Sequence, residues 1–130
     1  MNLFGALRQR WAADAALEAA LPAFRVYVGT APAPTIPFAV LGKRSDRPAE
    51  TMNDGGSLNA VGVRIEVFAG GYDAACEIAE LVRAAFDRTE FDLTGGDRVV
   101  NMRRRDAAER QEDDGLWHLT LDFECLVYLA

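Results

Sequence analysis

His118 is the only histidine in this chain of 130 residues, and it is the first candidate for catalysis or metal binding. A histidine acts as a general base when a serine or cysteine nucleophile lies beside it, and no motif in the sequence supplies one. A zinc site needs several ligands at short spacing, and Cys76 and Cys125 form no CxxC motif. We therefore expect no catalytic residue, no metal and no cofactor. His118 is expected to face solvent on a strand, and both cysteines to be small buried apolar side chains.

Carboxylates are the other candidates, because two of them can share the roles of general acid and general base. Asp122 with Glu66 or Glu124 would form such a pair. The alternation of polar and apolar residues favours a different interpretation, in which these side chains and Arg64 lie on the wet face of a sheet. We predict cross-strand charge pairs there rather than a reactive site.

The densest charge lies in residues 103–114, RRRDAAERQEDD, where four arginines and five carboxylates give −1. The whole chain carries −6, so tight binding to nucleic-acid phosphates is not expected. Folding the segment about residues 108–109 would bring the arginines opposite residues 112–114, as a solvated hairpin arm. Alternatively, the arm docks on a neighbouring subunit, where complementary charges set the register. The candidate interface residues are Arg103, Arg104, Arg105, Glu109, Arg110, Glu112, Asp113 and Asp114.

Two segments show helical periodicity. Apolar residues recur along one face of residues 3–20, which are rich in alanine, and Pro22 ends the segment. Residues 73–88 have an apolar stripe at helical spacing and begin at Asp73, a favourable capping residue. The sequence therefore predicts two amphipathic helices.

The remaining periodic segments alternate as strands do. A loop with three prolines, residues 29–37, follows the first of them. The predicted strands are residues 24–28, 36–45, 60–69, 98–105 and 116–130. The order is α-β-β-β-α-β-β. Strands with one apolar and one polar face predict a two-layer α+β fold, in which a mostly antiparallel sheet of about five strands packs against two helices. We expect residues 1–130 to form a single domain.

Two polar stretches, residues 46–60 and 103–115, are long enough to serve as contact arms. No stretch approaches the roughly 20 apolar residues of a membrane span, so we expect no membrane partner. The N-terminal segment also lacks the features of a signal peptide.

The order and spacing of these elements resemble the tail-completion or tail-terminator proteins of long-tailed bacteriophages and related gene transfer agents. The resemblance runs over nearly the whole chain. It rests on AADAALEAAL, RVYVGTAPAPTIPFAVLGKRS, VRIEVFAGGYDAACEIAELVRAAF and GLWHLTLDFECLVY, with Tyr72 in the turn before the second helix. The family has no catalytic residues to carry over.

The resemblance implies a structural virion protein, assembled in the host cytoplasm and placed at the head-proximal end of the tail. Such proteins form a ring, commonly a hexamer, that caps the tail tube, stops its growth and joins the head. The implied partners are further copies of the chain, the tail tube protein and a head-completion or adaptor protein, and DNA passes through without specific contacts. Two alternatives remain open: a head-side adaptor or head-closure protein, and a small α+β ligand-binding domain or enzyme.

Overall fold

The helices occupy three segments of a computed structural model that describes residues 2–51 and 55–130. They are α1 (Leu3–Ala13), α2 (Ala15–Ala20) and α3 (Tyr72–Phe86). The predicted helix over residues 3–20 is thus broken at Asp14, whose extended backbone interrupts it and whose side chain accepts a hydrogen bond from the Leu17 amide at 3.0 Å. The predicted capping role of Asp73 is wrong, because Gly71 is the N-cap and Asp73 lies in the first turn.

In the described residues, six strands form one sheet in the order β1-β2-β3-β6-β5-β4. Their bounds are β1 (Val26–Val28), β2 (Phe38–Thr51), β3 (Ser57–Ala69), β4 (Thr89–Asp92), β5 (Arg98–Gln111) and β6 (Trp117–Leu129). The α+β class and the mostly antiparallel pairing are confirmed, since four of the five strand pairs in the described residues are antiparallel. Two details differ from the prediction: β1 runs parallel to β2, which makes the sheet mixed, and β4 is a sixth strand that the sequence did not indicate.

The helices cover one face of the sheet, and the core lies between the two layers. The predicted alternation is confirmed along β3, where Val61, Val63, Ile65 and Val67 are fully buried. It is equally regular in β6, from Leu119 to Val127. Because every second residue is buried, the register of these central strands is strongly specified.

Trp11 joins the three helices into one layer. Its indole Nε1 donates a hydrogen bond of 2.7 Å to the carbonyl of Leu21, just beyond α2. Its ring lies 6.2 Å from that of Phe86, at the end of α3. The side chain is completely buried, and the hydrogen bond satisfies its one polar atom.

The two polar stretches expected to be arms are largely parts of long paired strands. Residues 46–51 continue β2, which pairs with β3 as far as Thr51 and Ser57. The Asn-Asp-Gly-Gly sequence of residues 53–56 also predicts a turn, and it falls partly on residues 52–54, which lie outside the described residues. Residues 103–111 continue β5 along β6. Most of the described residues of both stretches therefore belong to the sheet.

An open charged face and two free sheet edges

Asp122 is the centre of the charge network on the face of the sheet opposite the helices. Arg64, on the neighbouring strand, holds it with two hydrogen bonds, 2.8 Å from Nε to Oδ1 and 3.1 Å from Nη2 to Oδ2. Arg44 adds a third at 3.0 Å. The hydrogen bonds from Arg64, with its positive charge, lower the pKa of Asp122, although partial burial opposes them.

Glu124 forms a second, looser group on the same face. It accepts a hydrogen bond from Arg105 at 3.1 Å and another from Arg47 at 3.5 Å. The cross-strand charge pairs predicted for this face are thus confirmed. Each carboxylate is engaged by two arginines, which leaves neither in the arrangement of an acid and base pair.

An aromatic stack continues the open face toward the β5–β6 turn. Phe38 stacks on Phe68 with ring centroids 4.6 Å apart, and Phe68 stacks on His118 at 4.2 Å. The expectation that His118 faces solvent is wrong, because the stack and its neighbours leave the residue only 7% exposed. Its Nδ1 lies 3.0 Å from Glu112 Oε1 and its Nε2 lies 3.3 Å from Glu66 Oε1. The ring therefore ties three elements together.

The charged segment does not fold as the sequence indicated. The turn lies at residues 112–116, where Gly115 has a φ of +88°, and not at residues 108–109. Arg103 therefore faces Glu124 across the ladder, and the arginine trio does not meet the acidic trio. Arg110 instead donates a hydrogen bond to Glu112 at 3.0 Å. The hydrogen bonds from His118 and then Arg110 lower the pKa of Glu112.

The other candidate interface residues lie along the same end of the sheet. Arg104 uses its backbone amide to bind Asp87 at 2.9 Å. Glu109 accepts a hydrogen bond of 2.8 Å from the hydroxyl of Tyr72, whose ring packs edge-on against Trp117. Asp113 and Asp114 are exposed in the turn, where Asp114 Oδ1 accepts from the amide of Leu116 at 3.0 Å. The structure brings the candidates to one end of the sheet without joining them into one cluster.

A groove of about 300 Å³ runs between α3 and the end of β5. Its apolar lining comes from α3, β5 and β6, and includes Cys76, Ala79, Ala107, Leu119 and Leu121. Charged side chains border it, among them Glu80, Arg83 and Glu109. This combination of apolar and charged side chains is typical of surfaces that contact another protein.

Exposed apolar residues gather at the opposite edge of the sheet, around β1. Phe24 is 70% exposed, Ile36 is 49% exposed and Val28 is 48% exposed. None of the three was expected in a site. A signal was present, because Arg25 is the only charged residue between Ala23 and Phe38. A proline-rich stretch with a single charge at a sheet edge is a candidate for contact with another chain.

The two cysteines differ in their surroundings. Cys125 is completely buried in the core, and burial raises the pKa of its thiol to about 12. Cys76 is half-buried on α3.

Within residues 2–51 and 55–130, no group of three or more potential ligands is placed to hold a metal ion. None of the helices in this part of the chain is long and apolar enough to cross a membrane.

The described residues thus form an α+β fold in which an apolar layer lies under a mixed sheet and the charges of the open face are paired. The family of tail completion protein gp17 matches residues 5–128, and the chain belongs to that family. It is a structural protein of a phage-type tail, located in the virion. A search of curated proteins found no match.

Among solved structures, the fold is similar to a chain in the virion of a native gene transfer agent particle. The TM-score is 0.73 at 22% sequence identity, over 94% of this chain and 91% of the other. The same arrangement of helices and sheet therefore occurs in a protein of an assembled particle.

Proposed function

We propose that this chain is a tail terminator, which acts as a ring of identical subunits on the last layer of the tail tube. The observation that carries the proposal is the match of the tail completion family to residues 5–128. The ring, commonly of six copies, stops addition of further tube protein and presents the surface on which the head docks. The role is structural, without catalysis or a cofactor.

The geometry supports a role in assembly. The charges of the open face are largely neutralised within the subunit, by the pairs centred on Asp122 and Glu124. The surfaces left for partners are the sheet edges, the groove beside α3 and the apolar residues around β1. A closed ring needs two unlike surfaces on each subunit, so that each copy can contact the next in the same way.

The proposed partners are further copies, the tail tube protein and a head-completion or adaptor protein, with DNA passing through the opening. The net charge of −6 supports passage without binding, since repulsion between like charges opposes tight contact with phosphates.

The test is electron microscopy of particles from a producing strain that lacks this gene, beside the same strain complemented with it. We expect overlong or ragged tails without attached heads in the deletion, and normal particles after complementation. Tails of normal length joined to heads in the deletion would refute the proposal. Tails of normal length lying free beside filled heads would move the protein to the head side of the junction.

A further inference from the structure

The sheet has two stepped edges, because each outer strand pairs with only a few residues of its longer neighbour. On one side, β1 pairs with residues 39–41 of β2, so the rest of β2 has no outer neighbour among the described strands. On the other side, β4 pairs with residues 98–102 of β5, so residues 105–111 are likewise open. Such open edges present backbone groups that can pair with another chain.

The two steps lie at opposite ends of the sheet. Followed across the ladders, Val26 lies in the same row as Glu109, and Val28 in the same row as Ala107. At the other end, Thr89 shares a row with Asp46 and Asp92 shares one with Glu50. β1, at one edge of the sheet, therefore lies level with the open part of β5 at the other edge. In the same way, β4 lies level with the open part of β2.

The direction and the hydrogen-bonding pattern also match at the β1 end. Counted through the sheet, β1 and β5 run in opposite directions, so a neighbouring β1 would add to β5 as an antiparallel strand. The Gly29 amide bonds inward to Leu41, so the groups of Val26 and Val28 point away from β2. The Glu112 amide bonds inward to Leu116, so Ala107 and Glu109 point away from β6. If β1 of one copy adds to β5 of the next, residues whose backbone groups point outward therefore lie opposite each other on the two strands. The Val26 amide already donates to Ala23, the Val28 carbonyl accepts from Thr30, and the Ala107 amide donates to Asp106. A neighbouring copy would therefore pair the Val26 carbonyl with the Glu109 amide and the Val28 amide with the Ala107 carbonyl.

Side chains agree with the same pairing. Val28 and Ala107 both lie on the helix-covered side, since their rows contain the buried residues Ile65 and Leu121. A half-exposed Val28 would therefore enter the apolar groove beside α3 of the next copy. Arg25, the lone charge of its segment, would lie near Glu109.

We propose that copies of this chain join edge to edge, with β1 of one copy adding antiparallel to residues 105–111 of the next. Val26 and Val28 pair with Glu109 and Ala107, Val28 fills the groove, and β4 lies beside the open half of β2. The inference rests on the proposed ring and names its interface.

Cysteine cross-linking in assembled particles tests this register. Tyr27 and Ala108 share a row on the open face and become a non-hydrogen-bonded pair, with Cα atoms about 4.5 Å apart, which suits a disulfide. In a Cys76→Ser background, particles carrying Tyr27→Cys with Ala108→Cys should give a ladder of linked subunits on a non-reducing gel. Tyr27→Cys with Arg103→Cys is the matched control, since Arg103 lies about 17 Å further along the strand.

When the variant protein is present in the particles, two results overturn the inference. One is the absence of a ladder from the Tyr27–Ala108 cysteine pair, and the other is an equal ladder from the Tyr27–Arg103 pair. A second pair of variants covers the case in which the cysteine variant is not incorporated. Glu109→Pro removes the outward amide of the free edge, and Glu109→Ala removes the same carboxylate but keeps that amide. We expect only Glu109→Pro to fail in complementation, with a melting temperature close to that of Glu109→Ala. Equal complementation by both would overturn the interface.

The proposed function fails on a separate observation. Normal tails in the deletion strain refute the terminator role whatever the cross-links show. Overlong tails in the deletion, with unlinked Tyr27 and Ala108 in complemented particles, refute only the interface.

Discussion

Replacing Asp122 by asparagine should destabilise the fold by about 2 kcal/mol at neutral pH. The carboxylate is 14% exposed and accepts two hydrogen bonds from Arg64 and one from Arg44. Hydrogen bonds to buried charges contribute about 1.5–3 kcal/mol each, but both arginines are substantially exposed, and solvent screens the pairs. Asparagine keeps the volume and one acceptor, but it leaves the two guanidinium groups without a counter-charge.

Urea unfolding followed by tryptophan fluorescence measures the loss, because Trp11 is completely buried. With an entropy of unfolding of about 0.27 kcal/mol/K for a chain of this size, the melting temperature should fall by about 7 °C. Glu124→Gln is the matched control on the same strand and face. Its carboxylate is 33% exposed and makes single contacts at 3.1 and 3.5 Å, so we expect a loss of about 0.5 kcal/mol.

The same substitution has a defined pH dependence. The native pKa of Asp122 is lowered, so the native state binds its proton less readily than the unfolded chain does. The stabilisation is therefore complete above the unfolded pKa of about 3.9 and is lost as the pH falls through the lower native pKa. The stability difference between wild type and Asp122→Asn should stay constant from about pH 8 to about pH 5 and shrink below about pH 4. A difference below about 0.5 kcal/mol, or one that persists undiminished at about pH 2, would refute this reasoning.

Two further predictions concern close packing and thiol reactivity. Gly56→Ala should cost about 1–2 kcal/mol, because its Cβ would lie 2.6 Å from the ring of Tyr128, whereas Gly42→Ala meets open space and should be nearly neutral in the same unfolding assay. In the native protein at about pH 8, Cys76 should react with a thiol reagent, while Cys125 stays protected by burial and its raised pKa. Denaturation should make the Cys125 thiol reactive as well. Two reactive thiols in the native state would contradict this prediction.

The sequence predicts the layers of this fold better than its edges. The alternation in β3 and β6 is regular because one face of each strand is buried and the other is charged. β1 has only three residues, too few for the sequence to indicate its direction relative to β2. β4 has only four residues, too few to show a regular alternation. Asp14 interrupts an alanine-rich run by capping α2, a role that composition alone does not separate from an exposed helical aspartate.

The sequence predicts the site in part, and the wrong predictions of the turn position and of the exposure of His118 have physical causes. Charge pairing on the open face follows from alternation, and it is confirmed by Arg64 and Asp122. The turn was misplaced because Ala107 and Ala108 separate two charged runs, whereas the Asp-Asp-Gly ending at Gly115 is the true turn signal. The burial of His118 comes from stacking on Phe68 of the neighbouring strand, and the pattern of a single strand does not contain that information.

The salt dependence of assembly separates two origins of the contact between copies. If the charged residues 103–114 carried it, screening would weaken it, because the Debye length falls to about 4 Å at about 0.5 M salt. Arg105 and Arg110 are already paired within their own subunit, so their charges are poorly available to a neighbour. A backbone ladder with an apolar side chain in a groove depends little on salt. We therefore expect the Tyr27–Ala108 cross-link yield to change less than about twofold between about 0.05 and about 0.5 M NaCl, and a steep loss would assign the contact to the charged segment.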